Sequence, residues 1–125
     1  MSVELFLLTL MIADPYSNLR IEDYCKEIYP TNPGYAWRCR NKMEAAENDL
    51  SKIVSKDRPA LHYCKNTYQP PHWDEIKDCF NRQMKYKKRY KSAATRADSI
   101  KVKKCEAMYD EGDWSGKVFC VSRTR

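Results

Sequence analysis

The spacing of six cysteines constrains the fold of this 125-residue chain more than any other feature of its sequence. The members of successive pairs are separated by 13, 14 and 14 residues, and the pairs themselves by 24 and 25 residues. A regular period of about 40 residues is typical of an internal repeat. The sequence therefore predicts three units, and each holds one pair: Cys25 and Cys39, Cys64 and Cys79, and Cys105 and Cys120.

Aromatic residues recur at fixed distances from these cysteines. A tyrosine follows the first cysteine of each pair by four residues, and in the second and third units a tryptophan follows it by nine. In the first unit Gly34 takes the place of that tryptophan, and Tyr35 and Trp37 come just after it. We expect one helical domain over residues 14–125, with units at about 14–56, 57–97 and 98–125. The recurring aromatics are Tyr29, Tyr68 and Tyr109, with Trp73 and Trp114.

Helix-breaking residues lie between the two cysteines of every pair, at 30–34, 69–71 and 110–113. Proline cannot continue a helix but suits its first turn, so each break predicts a tight corner between two helices. Two antiparallel helices joined in this way bring a cysteine on each into bonding reach. Of the pairings that six cysteines allow, the repeat selects 25 with 39, 64 with 79 and 105 with 120.

Apolar residues recur at helical spacing in the stretches that follow the first and second corners. The two stripes are Cys39, Met43, Ala46, Leu50 and Ile53, and then Trp73, Ile76, Phe80 and Met84, continued by Tyr90, Ala93, Ala94 and Ala97. The chain has only three glycines, whereas all-β proteins need glycine at many turns. We predict an all-α fold of tandem helix-turn-helix units, each closed by an intra-repeat disulfide. Asp57 and Asp98 stand where a helix of the second and third units should start.

The cysteines also indicate a compartment. Disulfides persist in oxidising surroundings, so we expect a periplasmic or extracellular protein or a part of a virion. The apolar segment 1–13 is either signal-like or a packed helix, and it is too short to span a bilayer. A zinc set of His62, Cys64, His72 and Cys79 does not recur in the other units and is the weaker alternative. We therefore expect no metal and no other cofactor.

Two of the cysteine motifs resemble those of a known group of proteins. Tyr24-Cys25-Lys-Glu-Ile-Tyr29-Pro30 is followed by Cys39, and Tyr63-Cys64-Lys-Asn-Thr-Tyr68 by Cys79. Together they resemble small exported helical proteins of bacteria and their phages, which have tandem Tyr-Cys-x3-Tyr-Pro units with a second cysteine downstream. The likeness covers residues 21 to about 121 and implies export and a helical fold.

The positive charge of the chain is concentrated in its second half. Residues 1–60 hold eight Lys and Arg against nine Asp and Glu, and residues 61–125 hold fifteen against eight. The segment Arg82–Lys104 contains ten basic residues and a single acidic one, Asp98. Tyr86 and Tyr90 lie among the basic residues. Such a segment is either a solvated helix face or a surface for a polyanion. The candidate polyanion-binding residues are Lys85, Lys87, Lys88, Arg89, Lys91, Lys101, Lys103 and Lys104.

No catalytic constellation is evident in the sequence. It has no Gly-x-Ser-x-Gly, no phosphate-binding glycine loop and no His-Glu-x-x-His, so we assign no catalytic residue and no small-molecule substrate. We expect a non-enzymatic, disulfide-stapled protein that acts as an exported binding module or as a structural subunit of a virion or extracellular assembly. Its partner would be another protein or further copies of itself. The alternative is a protein that binds nucleic acid or another polyanion through a basic helix at residues 82–104.

Overall fold

The computed structural model describes residues 15–17 and 19–123, and this part of the chain is all-α, as predicted. A short 3-10 turn at Ser55–Asp57 precedes the third helix. The predicted apolar segment 1–13 lies outside the described residues, and the proposed unit boundaries remain predictions. The helices are α1 (Ile21–Ile28), α2 (Pro33–Ser51), α3 (Arg58–Tyr68), α4 (Trp73–Arg96), α5 (Ser99–Met108) and α6 (Trp114–Ser122).

Each disulfide joins two consecutive helices. The bonds link α1 to α2, α3 to α4, and α5 to α6, with Cα–Cα distances of 5.7, 5.7 and 5.6 Å. These are the three pairings that the cysteine spacing predicts, and they close three helical hairpins. The bonded pairs are Cys25 with Cys39, Cys64 with Cys79, and Cys105 with Cys120.

Short polar side chains cap the helices that follow the first and third corners, whereas α4 begins after His72 without a side-chain cap. Asn32 and Asp113 accept hydrogen bonds from backbone N–H groups in the first turns of α2 and α6, at 3.1 and 3.0 Å. Asp98 caps α5 in the same way, as the sequence suggests, at 3.1 Å. These caps satisfy N–H groups that have no partner within the helix. Asp57 differs, because its side chain makes no cap at the start of α3 and is used elsewhere.

Helix α4 is the centre of the described fold, since α2, α3 and α6 all pack against it. The predicted stripes supply much of the buried surface. Trp114, the first residue of α6, touches both core clusters and so links the second hairpin to the third. One cluster holds Leu50, Ala60, Cys64, Ile76, Cys79 and Phe80, and the other Tyr90, Cys105 and Val121.

The third hairpin is fastened to the second by close contacts. A β-carbon at Gly112 would overlap the carbonyl group of Pro59, so the corner between α5 and α6 lies directly on the start of α3. The backbone N–H of Ser115 donates to the Gln83 side chain at 3.0 Å, and that amide donates back to the Ser115 hydroxyl at 3.3 Å. These contacts bury Gly112, at the corner of the third hairpin, against the second hairpin.

The first hairpin is attached in a different way. Helix α2 packs against α4 through Met43, Ala46 and Leu50, whereas α1 packs mainly against α2 and buries only Cys25. Lys77 on α4 donates to Asp49 on α2 at 2.7 Å and strengthens this attachment. The corner of the first hairpin therefore lies away from both cores.

Candidate binding surfaces

The predicted basic segment is not one helix. Helix α4 ends at Arg96 and α5 begins at Ser99, so the expectation of a basic helix over residues 82–104 is wrong. The chain turns at Ala97 and Asp98, whose backbones are extended, and the Asp98 side chain then caps the new helix. The candidate lysines and arginines are thus divided between two helices.

Lys87 does not belong to an exposed polyanion-binding surface. Its side chain is 19% exposed, and its ammonium donates to Asp57 at 2.7 Å, where the carboxylate is 17% exposed. The same ammonium lies 5.7 Å from the ring centroid of Trp114. Lys87 therefore ties α4 to the start of α3, and the sequence-based assignment of this residue as polyanion-binding is corrected.

The remaining candidates differ in exposure. On α4, Lys85, Lys88, Arg89 and Lys91 are exposed. On α5, Lys103 and Lys104 are exposed, whereas Lys101 is half-buried. Lys101 and Lys104 line a groove of about 400 Å³ beside the third disulfide, together with Ile100, Met108 and Cys120.

The two tyrosines of the basic segment are not free to stack on bases. Tyr90 is 6% exposed, and its hydroxyl donates to Glu106 at 2.6 Å. Burial and this hydrogen bond raise the pKa of Tyr90 above its ordinary value. Tyr86 is half-buried, and the Arg89 guanidinium lies 5.3 Å from its ring centroid. The interleaved aromatics that favoured a nucleic-acid interface are therefore packed against protein.

A surface that the sequence did not single out lies at the corner of the first hairpin. Ile28, Tyr29, Tyr35 and Trp37 are all exposed there, with Trp37 at 59%. We call these four residues the aromatic tip. The Tyr29 and Tyr35 rings meet edge to face at 5.7 Å, so part of the tip is ordered by its own contacts.

The corresponding residues of the other hairpins are packed. Tyr68 and Trp73 contact the first core cluster, and Trp114 contacts both clusters. Tyr109 is half-buried, and its ring lies where a β-carbon at Gly116 would stand. The aromatic residues of this motif are thus packed in the second and third hairpins and exposed to solvent in the first. The signal in the sequence was the departure of the first unit, where the tryptophan is displaced to position 37.

Two grooves lie beside Tyr29. The larger, of about 630 Å³, is lined by Lys26, Tyr29, Trp37 and Arg40 together with prolines of the corner. The smaller, of about 280 Å³, is lined by Tyr29, Tyr35, Arg38, Cys39 and Lys42. Aromatic rings and cationic side chains therefore both line the grooves beside the tip.

The charge at these grooves is predominantly positive. Four cations line them against one acid, Glu22, but Lys26 pairs with Glu22 and Lys42 with Asp74. The hydrogen bond and positive charge of Lys26 lower the pKa of the Glu22 carboxyl. Arg38 lies 5.7 Å from the Tyr35 ring centroid and makes no ion pair within the described part of the chain. The Nε atom of Arg40 is buried without a hydrogen-bond partner, 3.8 Å from a Glu44 oxygen.

The zinc alternative is not supported by the cysteine chemistry. Cys64 and Cys79 are joined to each other, so neither offers the thiolate that a zinc ion needs. Within residues 15–17 and 19–123 no three His, Cys, Asp or Glu side chains converge as a metal site would require. No helix in these ranges is long and apolar enough to cross a bilayer.

The chain was compared with known proteins by family, sequence and structure. No protein family, curated protein or solved structure matches it. The fold therefore defines the class of protein: this is an all-α protein with three disulfides. Such bonds fit an oxidising environment outside the cell or in the periplasm.

Proposed function

We propose that this protein is an exported, non-enzymatic binding module whose aromatic tip binds an acidic surface of a partner protein. The observation that carries the proposal is the exposure of Tyr29 and Trp37, whose counterparts in the other two hairpins are packed. Tryptophan, tyrosine and arginine are the residues that most often dominate binding energy at protein interfaces. All three types are concentrated at this corner.

The charge around the tip indicates the chemistry of the partner. Apolar side chains of the partner would bury Trp37 and fill the larger groove, and carboxylates at the rim would meet Arg38, Arg40 and Lys26. Opposite charge at an interface favours association and excludes partners of like charge. The disulfide beside the grooves fixes the two helices that carry these groups, so little ordering is required on binding.

Selection from a displayed library of random short peptides tests this proposal. The oxidised full chain should enrich peptides that combine aromatic or aliphatic residues with Asp and Glu. Affinity for a selected peptide should fall by about tenfold or more in Trp37→Ala, which removes a central aromatic contact. Phe119→Ala is the matched control, since Phe119 is 60% exposed but lies in α6. Equal losses in both variants, or no enrichment, would contradict the proposal.

The second candidate is a structural subunit that associates with its own copies. Ile100, Met108 and Phe119 of the third hairpin are exposed apolar residues, at 62, 69 and 60%. Exposed apolar side chains favour association when they form one patch. Light scattering across a range of concentrations tests this candidate. A mass that rises above the monomer and returns to it in Met108→Ser supports a subunit, and a monomer at every concentration excludes it.

A further inference from the structure

A row of cations occupies the solvent-facing side of α4. Lys85, Lys88, Arg89 and Arg96 recur at helical spacing on the side opposite the buried residues Gln83 and Tyr90, and all four are exposed. We call them the cationic row. It extends over about 16 Å of helix.

The cationic row has no acid to balance it. Between Asp78 and Asp98 the sequence contains no Asp or Glu at all. None of the four cations makes an ion pair within the described residues, whereas Lys77 and Lys87 on the same helix each hold a carboxylate at 2.7 Å. Lys77 and Lys87, which connect α4 to neighbouring segments, are thus in ion pairs, and the four cations of the row are not.

Local helix stability does not explain the row. Positive charge near the end of a helix interacts favourably with its dipole, but this effect is confined to the last turn and covers only Arg96. Lys85 and Arg89 are four residues apart, a spacing at which like charges destabilise a helix. Because these like charges slightly destabilise α4, a ligand that neutralises them explains the row better than helix stability does.

We propose that the cationic row binds a linear acidic polysaccharide, whose carboxylate or sulfate groups lie along α4. The row offers charge with little aromatic surface, because Tyr86 is half-buried beside Arg89 and Tyr90 is buried. Single-stranded nucleic acids are held by stacking on exposed rings as well as by charge, so they fit this face less well. An oxidising environment, which the disulfides fit, is also where extracellular acidic polysaccharides occur. This surface is separate from the aromatic tip.

Binding to defined polymers tests the proposal. The oxidised full chain is titrated with heparin, alginate, duplex DNA and poly-dT at increasing salt. The test variant is Lys85→Gln with Lys88→Gln and Arg89→Gln. The control is Lys52→Gln with Lys56→Gln and Arg58→Gln, which removes the same charge from exposed positions elsewhere. Circular dichroism and thermal unfolding confirm that both remain folded.

We expect heparin or alginate to bind at low salt and the affinity to fall steeply as salt is added. The row variant should lose about tenfold or more in affinity and show a shallower salt dependence, whereas the control keeps most of the affinity. Equal losses in the two variants, no binding to either polysaccharide, or tighter binding to DNA would overturn the proposal. Trp37→Ala should bind the polysaccharide as the wild type does, so failure here is distinguishable from failure of the tip.

Discussion

The Lys87 ammonium donates to the Asp57 carboxylate at 2.7 Å across the junction of α4 and α3, with both side chains largely withdrawn from solvent. Removing one partner would leave the other charge poorly solvated. We expect Lys87→Gln to lower the free energy of unfolding by about 1–3 kcal/mol, between the values for exposed and fully buried pairs. Urea denaturation measures the change.

Lys88 provides the control for this pair, because it is the next residue and is exposed. Lys88→Gln should change the free energy of unfolding by less than about 0.5 kcal/mol. A double-mutant cycle with Asp57→Asn then isolates the coupling energy. If both lysine variants behave alike, Lys87 is an ordinary surface residue and its assignment to the fold is wrong.

The contact of Gly112 with Pro59 gives a second stability prediction. Any β-carbon at position 112 overlaps backbone atoms, which cannot move aside as a flexible side chain does. We expect Gly112→Ala to destabilise the protein by about 1–3 kcal/mol. Gly34→Ala serves as the control, since a β-carbon there meets only the Asn32 side chain, at an ordinary 3.5 Å. It should be neutral or slightly stabilising in the first turn of α2. Thermal unfolding of both variants provides the comparison.

Stability at alkaline pH should depend on Tyr90. Burial and the hydrogen bond to Glu106 raise the pKa of its phenol, so the folded protein keeps a proton that the unfolded chain releases near pH 10. The stabilisation is complete below that pH and is lost as pH rises above it. Tyr90→Phe should cost about 1 kcal/mol at neutral pH, for the lost hydrogen bond, and less in alkali.

Rapid urea denaturation between pH 8 and pH 11, without free thiol, measures this effect. Tyr35→Phe is the control, because Tyr35 is exposed. A residual alkaline loss is expected in Tyr90→Phe, since burial and the nearby Asp113 and Asp110 raise the pKa of Tyr63 as well. A stability difference between wild type and Tyr90→Phe that is constant across this range would contradict the raised pKa.

Exposure predicts the order in which the disulfides are reduced. Both cysteines of the middle bond are buried, whereas Cys39 and Cys120 are partly exposed. Thiol exchange requires access to a sulfur, so limited reductant should open the first and third bonds before the middle one. Timed alkylation with peptide mapping measures the order and, in the untreated protein, the pairing itself. A bond between hairpins, or early reduction of Cys64 with Cys79, would contradict the structure.

Local sequence patterns predicted much of the fold. Cysteine spacing gave the three disulfides, and the apolar steps through Met43, Ala46 and Leu50 gave a buried stripe. The pairing of Lys87 with Asp57 was missed, because its partners are 30 residues apart and no periodic signal connects them. The local pattern therefore does not distinguish Lys87 from Lys88, although the two side chains lie in different surroundings.

The cysteine motif does not predict the aromatic tip, although the displacement of the tryptophan to position 37 marks the first unit as different. Tyr29 occupies the same place in its motif as Tyr68, so the motif alone predicts the same packing for both. Their environments differ only because α3 and α4 lie at the centre of the fold, whereas α1 contacts mainly α2. Tertiary position, which no short motif encodes, decides which copy of the motif is left exposed.

The three tryptophans offer the most direct test of the tip, since each hairpin contains one. Their indole N–H groups should give three peaks in a proton–nitrogen NMR spectrum, assigned by single substitutions to phenylalanine. Adding a selected acidic peptide to the oxidised full chain should move the Trp37 peak and leave the peaks of Trp73 and Trp114 in place. Movement of Trp73 or Trp114 while Trp37 stays unchanged would show that the aromatic tip is not the binding surface.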